Sequence, residues 1–256
     1  MISNDARFDR ETASQLIENG YSPIPVVHKT KHPAAIGNWR RYCWTQPSEA
    51  DVSEWSKNHN GASVGLACGN SVVGLDLDCR DDHRVAKLLA LANEHLGASP
   101  LVRAGRPGRV GVLYRCAEPI LSGGYNDIDV LGLGTQLVVF GIHPRTKRDY
   151  AWNDGIHPLN TPASELPTVD NEMLNKFVEA VAKMDGRTVM ADGRLTIDSI
   201  NITAPLSSLT VLVTMIYSRY RNGRYPTQSK ARSVIDSKYA DTGSGLKVIW
   251  DEKQGD

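Results

Sequence analysis

The sequence has no apolar run approaching the roughly 18 residues that cross a bilayer, and no membrane partner is expected. It has no C-x-x-C pair. Its four cysteines, Cys43, Cys68, Cys79 and Cys116, are scattered, which argues against a disulfide frame or zinc site and reads as reduced thiols of a cytoplasmic protein. No G-x-x-x-x-G-K-[ST] phosphate loop occurs, so no ATPase of that type is expected. Net charge is also lacking, 29 Lys+Arg standing against 29 Asp+Glu; any preference for a charged partner must come from where the charges sit. There is no internal repeat or low-complexity tract, and the charged start from Met1 to Arg10 does not read as a signal peptide. With 41% hydrophobic and 23% charged residues over 256 positions, disordered and fibrous classes are excluded. The chain is long enough to bury a core in one or two domains.

What is present alternates strand and helix signals. Thr12 to Asn19 is a short helical stretch stopped by Gly20. Pro23 to Val27 is a brief apolar strand whose two prolines confine it to an edge or a strand start. Lys29 to Asn60 is irregular. Ser63 to Cys68 and Ser71 to Cys79 are strands separated by the turn pair Gly69-Asn70. Asp81 or Asp82 caps a helix whose apolar positions Val85, Leu88, Leu89, Ala92 and Leu96 follow the 3.6 period, with Gly97 at its end. Val110 to Arg115, Tyr125 to Leu131 and Gln136 to Phe140 are further strands, and Lys147 to Trp152 another candidate. A second amphipathic helix is expected over Asn171 to Met184.

The sharpest chemical feature is Val72-Val73-Gly74-Leu75-Asp76-Leu77-Asp78. Side chains alternate faces along a strand, so Asp76 and Asp78 project together while Val73, Leu75 and Leu77 point the other way. Two carboxylates at that spacing repel, and a cation that neutralises both relieves the repulsion; a strand end running into solvent is the alternative. Asp127-Ile128-Asp129 places a second acidic pair on an apolar background. If Asp129 lies across the sheet from Asp76 and Asp78, three carboxylates surround one point. That is the usual means of holding two Mg²⁺ or Mn²⁺ ions ~4 Å apart for phosphoryl transfer.

Between the acidic strands lies Arg103-Ala104-Gly105-Arg106-Pro107-Gly108-Arg109. Arg106 and Arg109 sit in a Gly/Pro turn, where guanidinium forks reach triphosphate oxygens bidentately; an ordinary solvated loop is the alternative. His143, in Phe140-Gly141-Ile142-His143-Pro144, closes a strand in a position to bond a phosphate, or serves a structural role. Lys29, Lys31 and His32 read as a solvated loop. Trp39, Trp44, Trp55 and Trp152 offer faces on which bases could stack, but most tryptophans are core residues, and none is assigned that role. Arg219, Arg221, Arg224, Lys230 and Arg232 form a basic run that either follows a nucleic-acid backbone or is a solvated face.

The order Gly20-Tyr21-Ser22-Pro23-Ile24-Pro25, Lys31-His32-Pro33, Trp39, Trp55, Val64-Gly65-Leu66-Ala67-Cys68-Gly69 and Val72 to Asp78 resembles the N-terminal domain of bifunctional DNA primase/polymerases. These belong to the archaeo-eukaryotic primase superfamily of plasmids, phages and prophages. Asp129-Val130-Leu131-Gly132, Gly141-Ile142-His143-Pro144 and Tyr150-Ala151-Trp152 continue the resemblance, which covers about residues 12 to 155.

The resemblance implies an α+β fold: an RRM-like mixed or antiparallel catalytic sheet beside a small N-terminal α/β subdomain. The family's D-x-D motif falls on Asp76 and Asp78, and its hydrophobic-acid motif on Ile128-Asp129; by resemblance these three aspartates bind Mg²⁺ or Mn²⁺. Its second motif usually carries a His, in an S-x-H or G-x-H setting. The matching stretch here, Gly105 to Tyr114, has none, so that Arg106 and Arg109, or His143, would take over contacts to the nucleotide. The implied activity is template-directed DNA synthesis from dNTPs or NTPs on single-stranded DNA, with or without a primer. A metal-dependent nuclease and a silent single-strand-binding module are the alternatives. Family members often carry a following helicase domain; this chain is expected to be either part of such a protein or a stand-alone primase-polymerase. The expected division is a catalytic domain over 1–185, a linker over 186–205, a basic helical region over 206–240 and a flexible tail over 241–256.

Overall fold

A computed structural model describes residues 5–79, 81–106 and 108–186 of the chain. All of them fall in one compact unit, residues 1–189. Past Gly186, the expected linker, basic helical region and tail lie outside the described residues, and with them Arg219, Arg221, Arg224, Lys230 and Arg232. The described elements are α1 (Arg10–Glu18), β1 (Pro23–Val26), α2 (Glu49–Asn58), β2 (Ser63–Ala67), β3 (Val72–Asp78), α3 (Asp82–Leu96), β4 (Val102–Arg106), β5 (Arg109–Cys116), β6 (Gly123–Tyr125), β7 (Ile128–Leu131), β8 (Gln136–Phe140), β9 (Ala151–Trp152), β10 (Thr168–Val169) and α4 (Asn171–Met184). Short 3₁₀ turns, one over Trp39–Cys43, complete them.

Local chemistry sets the helix ends. The Asp9, Asp81 and Asp170 carboxylates accept the first-turn N–H groups of Thr12, His83 and Met173, satisfying donors the helix itself leaves open. Ser48 and Asp51 form a reciprocal capping box on α2. This helix lies inside the stretch expected to be irregular; it buries only Val52 and Trp55, too thin a stripe to register as periodicity.

The fold is α+β with antiparallel sheets. A small sheet has the order β1-β2-β8, and a larger one β6-β7-β3-β5-β4-β9, with β10 joining β5 in parallel. The proline-bearing β1 is an edge strand, as expected. No hairpin forms across Gly69-Asn70, because β2 and β3 belong to different sheets. Gly69, at φ +115°, lies so close to the Leu133 backbone that a side chain would collide with it, and the chain crosses here from one sheet to the other. The strand expected over Tyr125 to Leu131 is instead a hairpin, β6 and β7, turned at Asn126 in the left-handed region (φ 49°). The segment before Arg106, expected as a turn, is strand β4. Of the Lys147 to Trp152 candidate only Ala151–Trp152 pairs as a strand.

Alternation along β3 divides the larger sheet. Val73, Leu75 and Leu77 point to one face and are buried. Val72 and Gly74 share the other face with Asp76 and Asp78. On that second face Val72, Leu113 and Leu131 join Leu66, Leu137, Val139 and Phe140 of the small sheet in one core. The small sheet therefore covers one end of this face, and the end carrying the two aspartates is left uncovered by that core.

Candidate active site

Pairing across the larger sheet puts the expected acidic residues side by side. In the β3–β7 ladder Asp76 stands opposite Asp129. In the β3–β5 ladder Asp76 faces Gly111 and Asp78 faces Arg109. In β4–β5 Gly111 faces Arg103 and Arg109 faces Arg106, across a bulge at Gly105. Register partners project to the same side, with Cα atoms about 4.5–5.5 Å apart. Two rows therefore cross one face: Asp129, Asp76, Gly111, Arg103, and beside it Asp78, Arg109, Arg106. The carboxylates occupy adjacent strands because β7 returns along β3; chain separation is irrelevant once that pairing forms.

Electrostatically the second row is held by ion pairs. Asp78 is bound by Arg109 and lies 3.8 Å from Arg106. Its second oxygen, Oδ1, is buried without a hydrogen-bond partner among the described residues. Held in this way, Asp78 is turned toward the guanidinium groups. Among the described residues no three His, Cys, Asp or Glu side chains are gathered tightly enough, as they stand, to seat a metal ion. The donors nonetheless suit a hard divalent cation: carboxylates in register on two strands and a further carboxylate two residues along, one oxygen of which has no hydrogen-bond partner among the described residues.

Next to the rows opens a cleft of ≈ 470 Å³, within the range of small-molecule sites. Its lining carries Lys29, Lys31, Arg103, Arg106, Arg109 and Arg145, six cations against the single carboxylate of Asp76, together with His32, His143 and Tyr150. Arg106, Arg109 and His143 are thus placed in one basic cleft beside the acidic row. Four strongly basic contributors were absent from the expected set. Lys29 and Lys31 read as a solvated loop but line the cleft wall, Lys29 lying in the left-handed region (φ 58°) three residues past β1. Arg103 and Arg145 carried no role. The signal for Arg103 was strand alternation: two positions before the bulge, it shares the face of Asp76, which becomes readable only once Val102–Arg106 is taken as a strand.

His143 is 5% exposed. Its Nδ1 accepts the backbone N–H groups of Arg145 and Thr146, each at 3.2 Å, which leaves the ring proton on Nε2. Burial, then the charges of Lys31, Arg106, Arg103 and Arg145, hold its pKa below the usual imidazole value, so the ring is a neutral N–H donor. Its edge meets Tyr150 at 5.3 Å between centroids. Arg103 stacks on the opposite partner of this pair, its guanidinium carbon 4.2 Å from the Tyr150 centroid.

An antiparallel sheet that presents carboxylates in register beside a guanidinium-lined cleft defines an α+β domain suited to a polyphosphate ligand. The chain belongs to the bifunctional DNA primase/polymerase family, N-terminal domain, whose profile matches residues 13–169, well over half of the sequence, from within α1 to the end of β10. Among curated proteins none matches the chain. Among the described residues no helix is long and apolar enough to cross a membrane.

Proposed function

We propose that this domain is a template-directed DNA primase/polymerase that joins nucleotides by divalent-cation-assisted phosphoryl transfer on single-stranded DNA. The observation that carries the reading is the register of Asp76 opposite Asp129, with Asp78 on the same face, directly beside the basic cleft. Family membership supports DNA and nucleotides as the substrates.

In this reading Asp76, Asp78 and Asp129 hold Mg²⁺ or Mn²⁺. Such ions, when bound, neutralise phosphate charge and lower the pKa of the attacking hydroxyl. The rest falls to the chain itself. Arg106 and Arg109 bring two planar forks to the triphosphate oxygens, an arrangement a lysine cannot reproduce. His143 donates its Nε2–H to a phosphate oxygen without adding a charge. Holding the triphosphate against the acidic row supplies positioning, the larger part of catalysis for phosphoryl transfer. The run from Arg219 to Arg232 serves as a contact for template or primer backbone, and a helicase, in the same chain or as a partner, acts ahead of synthesis.

The test is template-directed extension with dNTPs and NTPs supplied separately, with Mg²⁺ and with Mn²⁺. Wild-type protein extends a primed template; Asp76→Ala/Asp78→Ala does not, while retaining its melting transition. Extension by the double variant refutes the assignment. Metal-dependent cleavage of labelled DNA without added nucleotide, and no extension, would make the protein a nuclease. Salt-sensitive DNA binding with neither activity would leave only a binding module.

A further inference from the structure

Arg103 is the most unusual charge in the described residues. It is 4% exposed, yet its Nε and Nη1 have no hydrogen-bond partner among the described residues. A buried guanidinium with unmatched donors is costly, and stacking on Tyr150 offsets only part of that cost. The sheet makes a place for it. Gly111, opposite Arg103 on β5, has no side chain, and a Cβ there would come within 2.8 Å of Arg103 Nη2. The guanidinium thus occupies the space directly above Gly111, in the row that continues to Asp76 and Asp129. The Tyr150 hydroxyl is likewise buried, with Arg103 its neighbour, and both groups line the cleft.

The neighbouring arginines differ. Arg106 and Arg109 share the single carboxylate of Asp78, which draws both toward it. Arg103 has donors to spare, with its guanidinium against the Tyr150 ring.

We infer that Arg103 is the preformed phosphate anchor of this cleft, taking an oxyanion of the nucleotide's polyphosphate before any divalent ion is bound. The oxyanion accepts from the inward-facing guanidinium N–H groups, with the Tyr150 hydroxyl and the His143 Nε2–H as neighbouring donors. Phosphate recognition then has two layers: a metal-independent one on Arg103, and a second on Arg106 and Arg109 that becomes available when Asp78 exchanges them for a cation. The inference rests on the nucleotide reading above and names the residue that binds first.

Inorganic tripolyphosphate is the probe. The 256-residue chain, treated with EDTA, is titrated with it by calorimetry at fixed ionic strength, alongside Arg103→Met, Arg103→Lys and Arg109→Met. Wild-type protein binds without metal. Arg103→Met weakens binding about 10- to 100-fold, the loss of charge-assisted bonds at one anion. Arg103→Lys keeps the charge, loses the fork, and falls between. Arg109→Met weakens binding less than Arg103→Met does, its fork being held by Asp78. Wild-type-like binding by Arg103→Met, equal losses in all three variants, or no binding by the wild type under EDTA overturns the inference.

Removing a buried side chain can also unfold the domain. A second measurement therefore uses the wild type: the Arg103 Nε–H resonance in a ¹⁵N correlation spectrum shifts on adding tripolyphosphate with EDTA present, and a stationary resonance overturns the inference. Failure here leaves primer extension by the wild type intact, whereas failure of the polymerase reading leaves tripolyphosphate binding intact, so the two are separable.

Discussion

Removing Arg109 tests the proposed competition between a guanidinium and a divalent ion for Asp78. The two side chains are 27% and 36% exposed, so water screens the pair and its worth is about 0.5–1 kcal/mol. Arg109→Met should therefore lower the melting temperature by only about 1–4 °C. The same energy is what a cation must overcome to take Asp78. Mn²⁺ binding without nucleotide should then tighten about two- to fivefold in Arg109→Met, RT ln of the ratio matching the lost pair. Arg106, already 3.8 Å from the same carboxylate, takes over part of the role, so Arg106→Met/Arg109→Met should show the full increase. Electron paramagnetic resonance of free Mn²⁺, read against protein concentration, measures it directly. In the presence of metal the order reverses for nucleotide: both variants should bind dNTP about tenfold more weakly or worse, having lost forks on the triphosphate. Unchanged or weaker Mn²⁺ binding in both variants would refute the competition.

His143 gives a pH test. Its pKa is depressed in the fold relative to the usual value near 6.5, so the unfolded chain binds more protons between the two values. Stability from this group is present above about pH 6.5 and is lost as pH falls through that value toward the folded one. Chemical denaturation at pH 5 and pH 7 should show a smaller difference for His143→Gln than for wild type; an equal or larger difference refutes the assignment. The junction of the two sheets gives a packing test. Leu113 is wholly buried in their common core, and Leu113→Ala should cost about 2–5 kcal/mol and lower the melting temperature by ~5–15 °C; a drop under ~2 °C would mean that the sheets do not depend on this contact.

Some elements were legible because their signals are local. Asp81 and Gly97 bracket α3 as their capping chemistry requires, and α4 runs over the residues its apolar stripe marked, Asn171–Met184. α2 escaped because two buried residues make no stripe; the readable sign was Ser48 with Asp51 three positions on. Gly69-Asn70 misled because a turn pair between two apolar strands says nothing about whether those strands bond to each other. The basic cleft was half legible: Arg106, Arg109 and His143 stood out beside Gly and Pro. Lys29, Lys31 and Arg145 looked like solvated charges, and only the approach of two loops to the sheet shows them around one space.

Period-two alternation in Val72–Asp78 determined, without any tertiary information, that Asp76 and Asp78 share a face opposite Leu75 and Leu77, since strand geometry leaves side chains no other choice. Which groups meet those carboxylates was decided by pairing. Asp129 arrives opposite Asp76 through β7, Arg109 opposite Asp78 through β5, and Arg103 over Gly111 through β4. Such register is chosen by the burial of whole strands against one another, a property of the assembled sheet that no single segment of sequence contains.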